Sequence, residues 1–324
     1  MMNRIENTKT YLGKELETIF FRPMLQGENA VDLGVRVLYN MPAPATLHFW
    51  RRPDDVLHKY TAAGWKGSKA PERMRKNIEL QRVKAEMGYS ADEYFSLVYD
   101  SMTRAAIGSM EDLSGTVLEE AETALFREAI AESIRATMWL GKSDRESGLN
   151  TFDGFLHRIK SDIASQGIVA ETYDTIDAAT AETRLRTVWD NAPIVLKDLR
   201  SEGQLAFFVT TDVYNAYEES LETPSLEAAY LAKQTGHETL TYRGIPLVDL
   251  KITEHLVNHV DLGTSFILLT DRRNLALALS AGEFPGTEVR MWYNPDLMEN
   301  RQRAVFMAGC DYLLPELISL AYTE

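Results

Sequence analysis

The longest regular alternation of apolar and polar positions runs from Thr116 to Gly141. Leu118, Ala121, Leu125, Ala129, Ile130 and Ile134 recur at three- and four-residue steps, while Glu119, Glu120, Glu122, Glu128 and Glu132 keep mainly to the other side. That period predicts a helix with one broad buried face. Thr116 and Glu119 have the T-x-x-E spacing of a capping box, in which each side chain satisfies a backbone amide left open at the helix start. Trp139, Leu140 and Gly141 close the run, with the glycine expected in the left-handed conformation after the last turn. About 25 residues at 1.5 Å each make a rod of about 37 Å, well beyond the roughly 12-residue average helix.

Weaker patterns flank this rod. Leu12, Leu16, Ile19 and Phe20 share helical spacing before Pro23, which predicts an N-terminal amphipathic helix that either packs on its own domain or reaches a neighbour. Residues 26 to 76 contain the β-prone runs 35–39 and 46–50, broken by Pro42, Pro44 and Pro53, and read as an extended excursion. A strand is expected within 77–87, then a helix opened by Ser90-Ala91-Asp92-Glu93 with Tyr94, Leu97, Val98 and Met102 on one face. After residue 165 the pattern becomes α/β alternation. Helices are expected over 180–199, 212–221 (capped by Thr211 or Asp212) and 271–279, and strands over 205–209, 240–250 and 266–269. Leu205-Ala206-Phe207-Phe208-Val209 is wholly apolar, the mark of a strand covered on both faces. The segments 289–292, 303–307 and 317–322 are strand-like, closing the chain with a mixed sheet.

Charge adds a division that hydropathy does not show. The 324 residues carry 34 Lys and Arg against 48 Asp and Glu, a net −14, so the overall field repels nucleic acid and argues against a sequence-reading DNA binder. Between Arg51 and Lys84, however, ten residues are basic and four acidic, a local +6 that leaves −20 on the rest. A basic arm on an acidic body fits self-association, the arm of one copy meeting the surface of the next. A solvated loop is the plain alternative; nucleic-acid contact, with Trp50, Tyr60 and Trp65 nearby, ranks third. Composition is ordinary for a globular chain, 45% hydrophobic and 25% charged, and the length suffices for one large domain or two to three smaller ones. The single Cys310 makes no intrachain disulfide and fits a reducing compartment. No apolar run of about 18 residues and no basic-then-apolar leader is present, so neither secretion nor membrane spanning is expected.

Familiar catalytic patterns fail on inspection. Gly141-Lys142-Ser143 ends like a phosphate-binding loop, but Ala136 stands where that motif needs glycine and the run follows a helix instead of a strand. His255 and His259 are four apart, yet the metalloprotease pattern places its glutamate directly after the first histidine, and here Glu254 precedes it. Neither G-x-S-x-G nor G-x-G-x-x-G occurs. Glu119, Glu120 and Glu122 read as a solvated helix face.

In order, the elements resemble the major capsid proteins of tailed phages, the Hong Kong 97-type fold. The phrases that carry this are Asn150-Thr151-Phe152-Asp153-Gly154-Phe155 after the long helix, Phe207-Phe208-Val209-Thr210-Thr211-Asp212-Val213-Tyr214, Tyr242-Arg243-Gly244-Ile245-Pro246-Leu247-Val248, and Phe266-Ile267-Leu268-Leu269-Thr270-Asp271-Arg272-Arg273-Asn274-Leu275. The resemblance implies an α+β capsid fold with an N-terminal arm (1–25), an extended E-loop (26–76), a peripheral domain with the spine helix (77–165), an axial α/β domain (166–285) and returning strands of the peripheral domain (286–324). It implies a shell subunit forming hexamers and pentamers around double-stranded DNA, with no cofactor, metal or active site, located in the virion after assembly in the host cytoplasm. The expected partners are other copies, a portal, decoration proteins, DNA held non-specifically, and a separate scaffolding protein, since the short arm leaves no room for the scaffold-like region of some members; no membrane is expected. The intersubunit contact expected from the charge pattern sets Arg51, Arg52, Lys59, Lys66, Lys69, Arg73, Arg75 and Lys76 against Glu119, Glu120, Glu122 and Glu128 of the next copy. Two alternatives are an encapsulin-type nanocompartment shell and an α/β enzyme with dispersed catalytic residues.

Overall fold

The computed structural model describes residues 9–12, 15–25, 30, 33–39, 41, 45–51, 71–90, 117–221, 240–258, 265–280, 288–294, 296–297 and 299–323. Its first elements are β1 (Lys9–Tyr11), a helical turn wound in π fashion over Leu16–Phe21 and continued by Arg22–Met24, β2 (Arg36–Tyr39), β3 (Ala45–Arg51), β4 (Glu72–Ile78), β5 (Gln81–Ser90) and the spine helix α1 (Val117–Leu140). Then follow α2 (Phe155–Gln166), β6 (Val169–Thr172), α3 (Ala181–Asn191), α4 (Ile194–Asp198), β7 (Leu205–Val209), α5 (Thr211–Leu221), β8 (Thr241–Tyr242), β9 (Ile245–Asp249) and α6 (Thr253–Asn258). The last are β10 (Phe266–Asp271), β11 (Leu275–Ser280), β12 (Glu288–Asn294), β13 (Glu299–Tyr312) and β14 (Ile318–Tyr322).

Two six-stranded sheets and a separate hairpin result. In the first sheet the order is β1-β12-β13-β11-β2, and β5 pairs with β13 as well. The long β13 alternates half-buried and buried side chains from Glu299 to Ala308, because one face of the sheet is covered: Ala304, Phe306 and Ala308 share a core with Phe126, Ile130 and Ile134 of α1. The buried stripe of α1 is therefore Phe126, Ile130, Ile134 and Met138, whereas Leu125 is 53% exposed and Ala129 is also exposed. Leu125 and Ala129 belonged to the predicted inner face; the aromatic Phe126, one residue further on, takes the inner position instead. The π-wound turn packs on its own chain, burying Phe20, Phe21 and Met24, with Phe21 edge-on to Phe306 at 5.3 Å. Of the apolar face expected here, Phe20 is buried on its own chain while Leu12 and Ile19 are exposed. The capping residue Thr116 and the helix expected after Ser90 fall outside the described residues.

Gly141 ends α1 for a different reason from the one predicted. It is absent from the residues with positive φ. What it needs is space, because a Cβ there would collide with the carbonyl oxygens of Thr137 and Phe152. Its amide donates to Thr137 O at 2.7 Å and its carbonyl accepts the Gly154 amide at 2.8 Å. A Cβ on Gly154 would strike the same turn.

The second sheet has the order β6-β14-β10-β7-β9-β8. All five residues of β7 are buried, with alternate side chains divided between two cores: Phe208 joins the core of α1, and Phe207 and Val209 join that of α3 and α5. The helix expected over 180–199 breaks at Pro193, which removes a helical amide donor, and α4 resumes with Ile194 and Val195 exposed. Thr211 lies inside α5 rather than capping it, and its hydroxyl donates to Asp249 at 2.8 Å. The expected 240–250 strand is instead the hairpin β8–β9. Arg243 and Gly244 both have positive φ, 52° and 77°, the signature of a tight I′ turn whose twist matches its strands.

Residues 271–279 are not a helix. Asp271 caps a single turn by accepting the Arg273 amide at 2.8 Å, and the chain then enters β11, buried on both faces. Leu275, Leu277 and Leu279 face the main core, while Ala276 and Ala278 face the base of the β3–β4 hairpin. Leucine and alanine are strong helix formers; the period-two alternation of large and small overrides that preference. Consequently β11 pairs with β13 in the first sheet, and β14 pairs with β10 and β6 in the second. The 166–285 and 286–324 segments thus each divide between the sheets. The two crossings lie side by side, joined by the buried Asn274, which accepts the Leu313 and Leu314 amides at 3.2 and 2.8 Å and donates to Leu314 O at 3.0 Å. Replacing Asn274 with Ala strands the Leu314 amide, whereas the Leu313 amide keeps the main-chain carbonyl of residue 274 at 2.9 Å and the Leu314 carbonyl keeps the Leu317 amide at 3.3 Å. Chemical denaturation of Asn274→Ala should show a loss of about 1–3 kcal/mol.

Candidate intersubunit surfaces

The hairpin β3–β4 pairs from Ala45↔Ile78 to Arg51↔Glu72 and, among the described residues, with no third strand. A two-stranded ribbon by itself is marginal in water. Its base is seated: Ala45 and Ile78 are fully buried against Ala276 and Ala278 of β11. Beyond the seat, Arg73, Arg75 and Asn77 alternate on one exposed face. The ribbon therefore leaves the body with a basic face outward.

Under the seat lies a charged cluster. Asp311 is 3% exposed, and its carboxylate meets Lys76 Nζ of β4 at 3.2 Å and Arg158 of α2 at 3.7 Å. Burial pushes the Asp311 carboxyl above the ordinary carboxylate range, against the pull of Lys76 and Arg158. Arg158 also faces Glu79 at 3.8 Å and Asp153 at 3.9 Å. Burial alone would raise Asp153, but the amide and hydroxyl of Ser143, at 2.8 and 2.7 Å, hold it below its usual value with help from Arg158. The Lys76 ammonium also stands 4.3 Å from the Tyr312 ring centre, and the Tyr312 hydroxyl donates to Asp162. Neighbouring Cys310 is fully buried, its thiol pushed up by burial and directed at the Asp153 and Met138 carbonyls. A buried, protonated thiol is a packing group, not a nucleophile.

The pivot is steric. A Cβ on Gly309 would collide with the Glu79 carbonyl, so the link from β4 to β5 crosses directly over β13.

Of the residues expected at the contact, Arg73, Arg75 and Glu128 are exposed. Lys76 turns back onto its own body, paired with Asp311. Arg51 is the last residue of β3, and Glu119, Glu120 and Glu122 lie in the first turns of α1. Arg52, Lys59, Lys66 and Lys69 fall outside the described residues. α1 and β5 border a groove of about 390 Å³ lined by Ala85, Met87, Phe126 and Ile130. His255 faces Glu132 at 3.7 Å; His259 is outside the described residues. The Lys76–Asp311–Arg158 cluster escaped sequence reading because its members lie on three distant stretches.

No family model matches the sequence, and no curated protein does. Solved structures do match in fold. A chain of the satellite phage P4 procapsid that includes the size determination (Sid) protein superimposes with a TM-score of 0.60 at 11% identity, covering 97% of this chain and 92% of that one. Chains of the native and empty GTA particle capsids give TM-scores of 0.53 and 0.51 at 14% and 13% identity, each covering 92% of this chain and 91% of theirs. The fold is thus that of phage capsid chains, the Hong Kong 97-type α+β architecture that the sequence resembles.

The pivot yields a direct check. Gly309→Ala should cost about 1–3 kcal/mol through overpacking, whereas Gly88→Ala, whose Cβ meets nothing nearer than 3.8 Å, should stay within about 0.5 kcal/mol of the parent in denaturant melts.

Proposed function

We propose that this chain is the major capsid protein of a tailed double-stranded DNA phage, a subunit that assembles into the hexamers and pentamers of an icosahedral shell around the genome. The observation that carries this is the fold match to a procapsid chain along 97% of the sequence. A match of that extent spans nearly the whole chain, not one common motif.

Assembly, not catalysis, is the activity. The basic hairpin, equated here with the family's E-loop, lies over the spine helix of the adjacent copy. Arg51, Arg52, Lys59, Lys66, Lys69, Arg73 and Arg75 then face Glu119, Glu120, Glu122 and Glu128. Opposite charge steers and registers such contacts more than it strengthens them; the affinity comes from apolar area, which obligate assemblies bury in thousands of Å². The −20 carried outside the basic stretch keeps the subunit from trapping packaged DNA, which is touched non-specifically at most. The further partners are a separate scaffolding protein, a portal and decoration proteins, and the site of action is the virion after assembly in the host cytoplasm. The subunit works without cofactor or metal.

Removing residues 50–70 deletes the end of β3 and the stretch leading to β4 and spares the seat at Ala45 and Ile78. The truncated chain should keep the parent's circular dichroism and sediment as a folded monomer or small oligomer, while the parent sediments as particles. Closed shells from the truncated chain would refute the role given to the hairpin.

A further inference from the structure

We propose that the β3–β4 hairpin carries the counterion for a carboxylate in the body, and that this charge pair latches the hairpin in its seat: Lys76 neutralises Asp311 when the hairpin is down, and Arg158 holds the carboxylate when the hairpin lifts. The inference concerns one subunit and stands apart from the capsid assignment.

Three features of the geometry carry it. The apolar seat carries no aromatic ring: Ala45, Leu47 and Ile78 of the hairpin meet Ala276 and Ala278 of β11 together with Leu38, Met41, Leu80 and Leu313, and a charge pair beside it adds register. Asp311 is buried between two cations of different attachment. Lys76 at 3.2 Å belongs to the hairpin and Arg158 at 3.7 Å to α2 in the body. A buried carboxylate without a partner is strongly unfavourable, so a hairpin that removed the only cation would be unable to move. The second cation makes lifting a finite step. The lysine is also aimed, lying 4.3 Å from the Tyr312 ring centre while Tyr312 is tied to Asp162 of α2. The link at Glu79 lies so close to Gly309 that no Cβ would fit there.

Two cations meet the Asp311 carboxylate, Lys76 of β4 and Arg158 of α2; Arg158 also faces Glu79 and Asp153, and the neighbouring Tyr312 is tied to Asp162. Burial raises the Asp311 carboxyl against the pull of those two cations.

Hydrogen exchange on the full chain, corrected for intrinsic rates, tests the latch. In Lys76→Met, which keeps the stem and loses the charge, the amides of β3 and β4 should exchange at least about tenfold faster at pH 7, with β7 and β10 unchanged. Adding Asp311→Asn removes the uncompensated carboxylate and should return the hairpin to within roughly threefold of the parent. Lys76→Arg should behave as the parent. Unchanged hairpin exchange in Lys76→Met would overturn the latch. So would acceleration that Asp311→Asn does not reverse, or acceleration that spreads equally to β7 and β10.

Discussion

Everything in this fold depends on one close approach of backbone to backbone. The last turn of the spine helix and the loop that returns from it occupy a space that admits no Cβ at Gly141 or Gly154. This contact places Trp139 between Phe155 of α2 and Phe208 of β7, at 5.3 and 5.2 Å between ring centres. It also brings the Cys310 thiol of β13 against the Asp153 carbonyl at 3.2 Å. The rod, both sheets and the returning loop meet within that small volume. A side chain there would separate them, and close-packed interiors do not absorb such displacement gradually.

A rigid joint matters because the remaining contacts work at a distance. The spine helix, 24 residues long, is about 36 Å at 1.5 Å per residue, and a small angular error at its base becomes several ångströms at its far end. Asn274 serves the same end by tying the two crossings between the sheets. The hairpin is the opposite kind of element: a narrow ribbon, seated on a small aliphatic cluster and one charge pair, with arginines on its exposed face. For the proposed assembly this division is physically sensible, since the body sets geometry and the ribbon adapts to the neighbour.

Much of the architecture was legible in the sequence where burial was extreme. Leu205 to Val209 reads as a strand covered on both faces because no polar residue interrupts it, and the spine helix reads from its length and its glutamates. The inner face of that helix was misjudged by one residue because Leu125 and Phe126 are both apolar, and only the tertiary partner, β13, decides between them. β11 was concealed by helix-forming leucine and alanine, although their strict alternation was the signal of a strand. Gly141 was correctly placed at a helix end but for the wrong reason, since steric exclusion by Phe152 leaves no local trace. Asp311 and Arg158 gave no signal, and Lys76 is read from sequence only as part of the basic stretch, because a charge cluster made by three distant stretches has no period.

The central claim is that one copy's hairpin is held by the next copy's spine helix. The most direct measurement is a cryo-electron microscopy reconstruction of particles formed by the full-length protein, traced far enough to follow the chain from Ala45 to Ile78. The account predicts closed or curved shells in which this hairpin crosses a subunit boundary and rests beside Glu128 of its neighbour. A hairpin folded onto its own body within such shells, or a protein that stays monomeric, would contradict it.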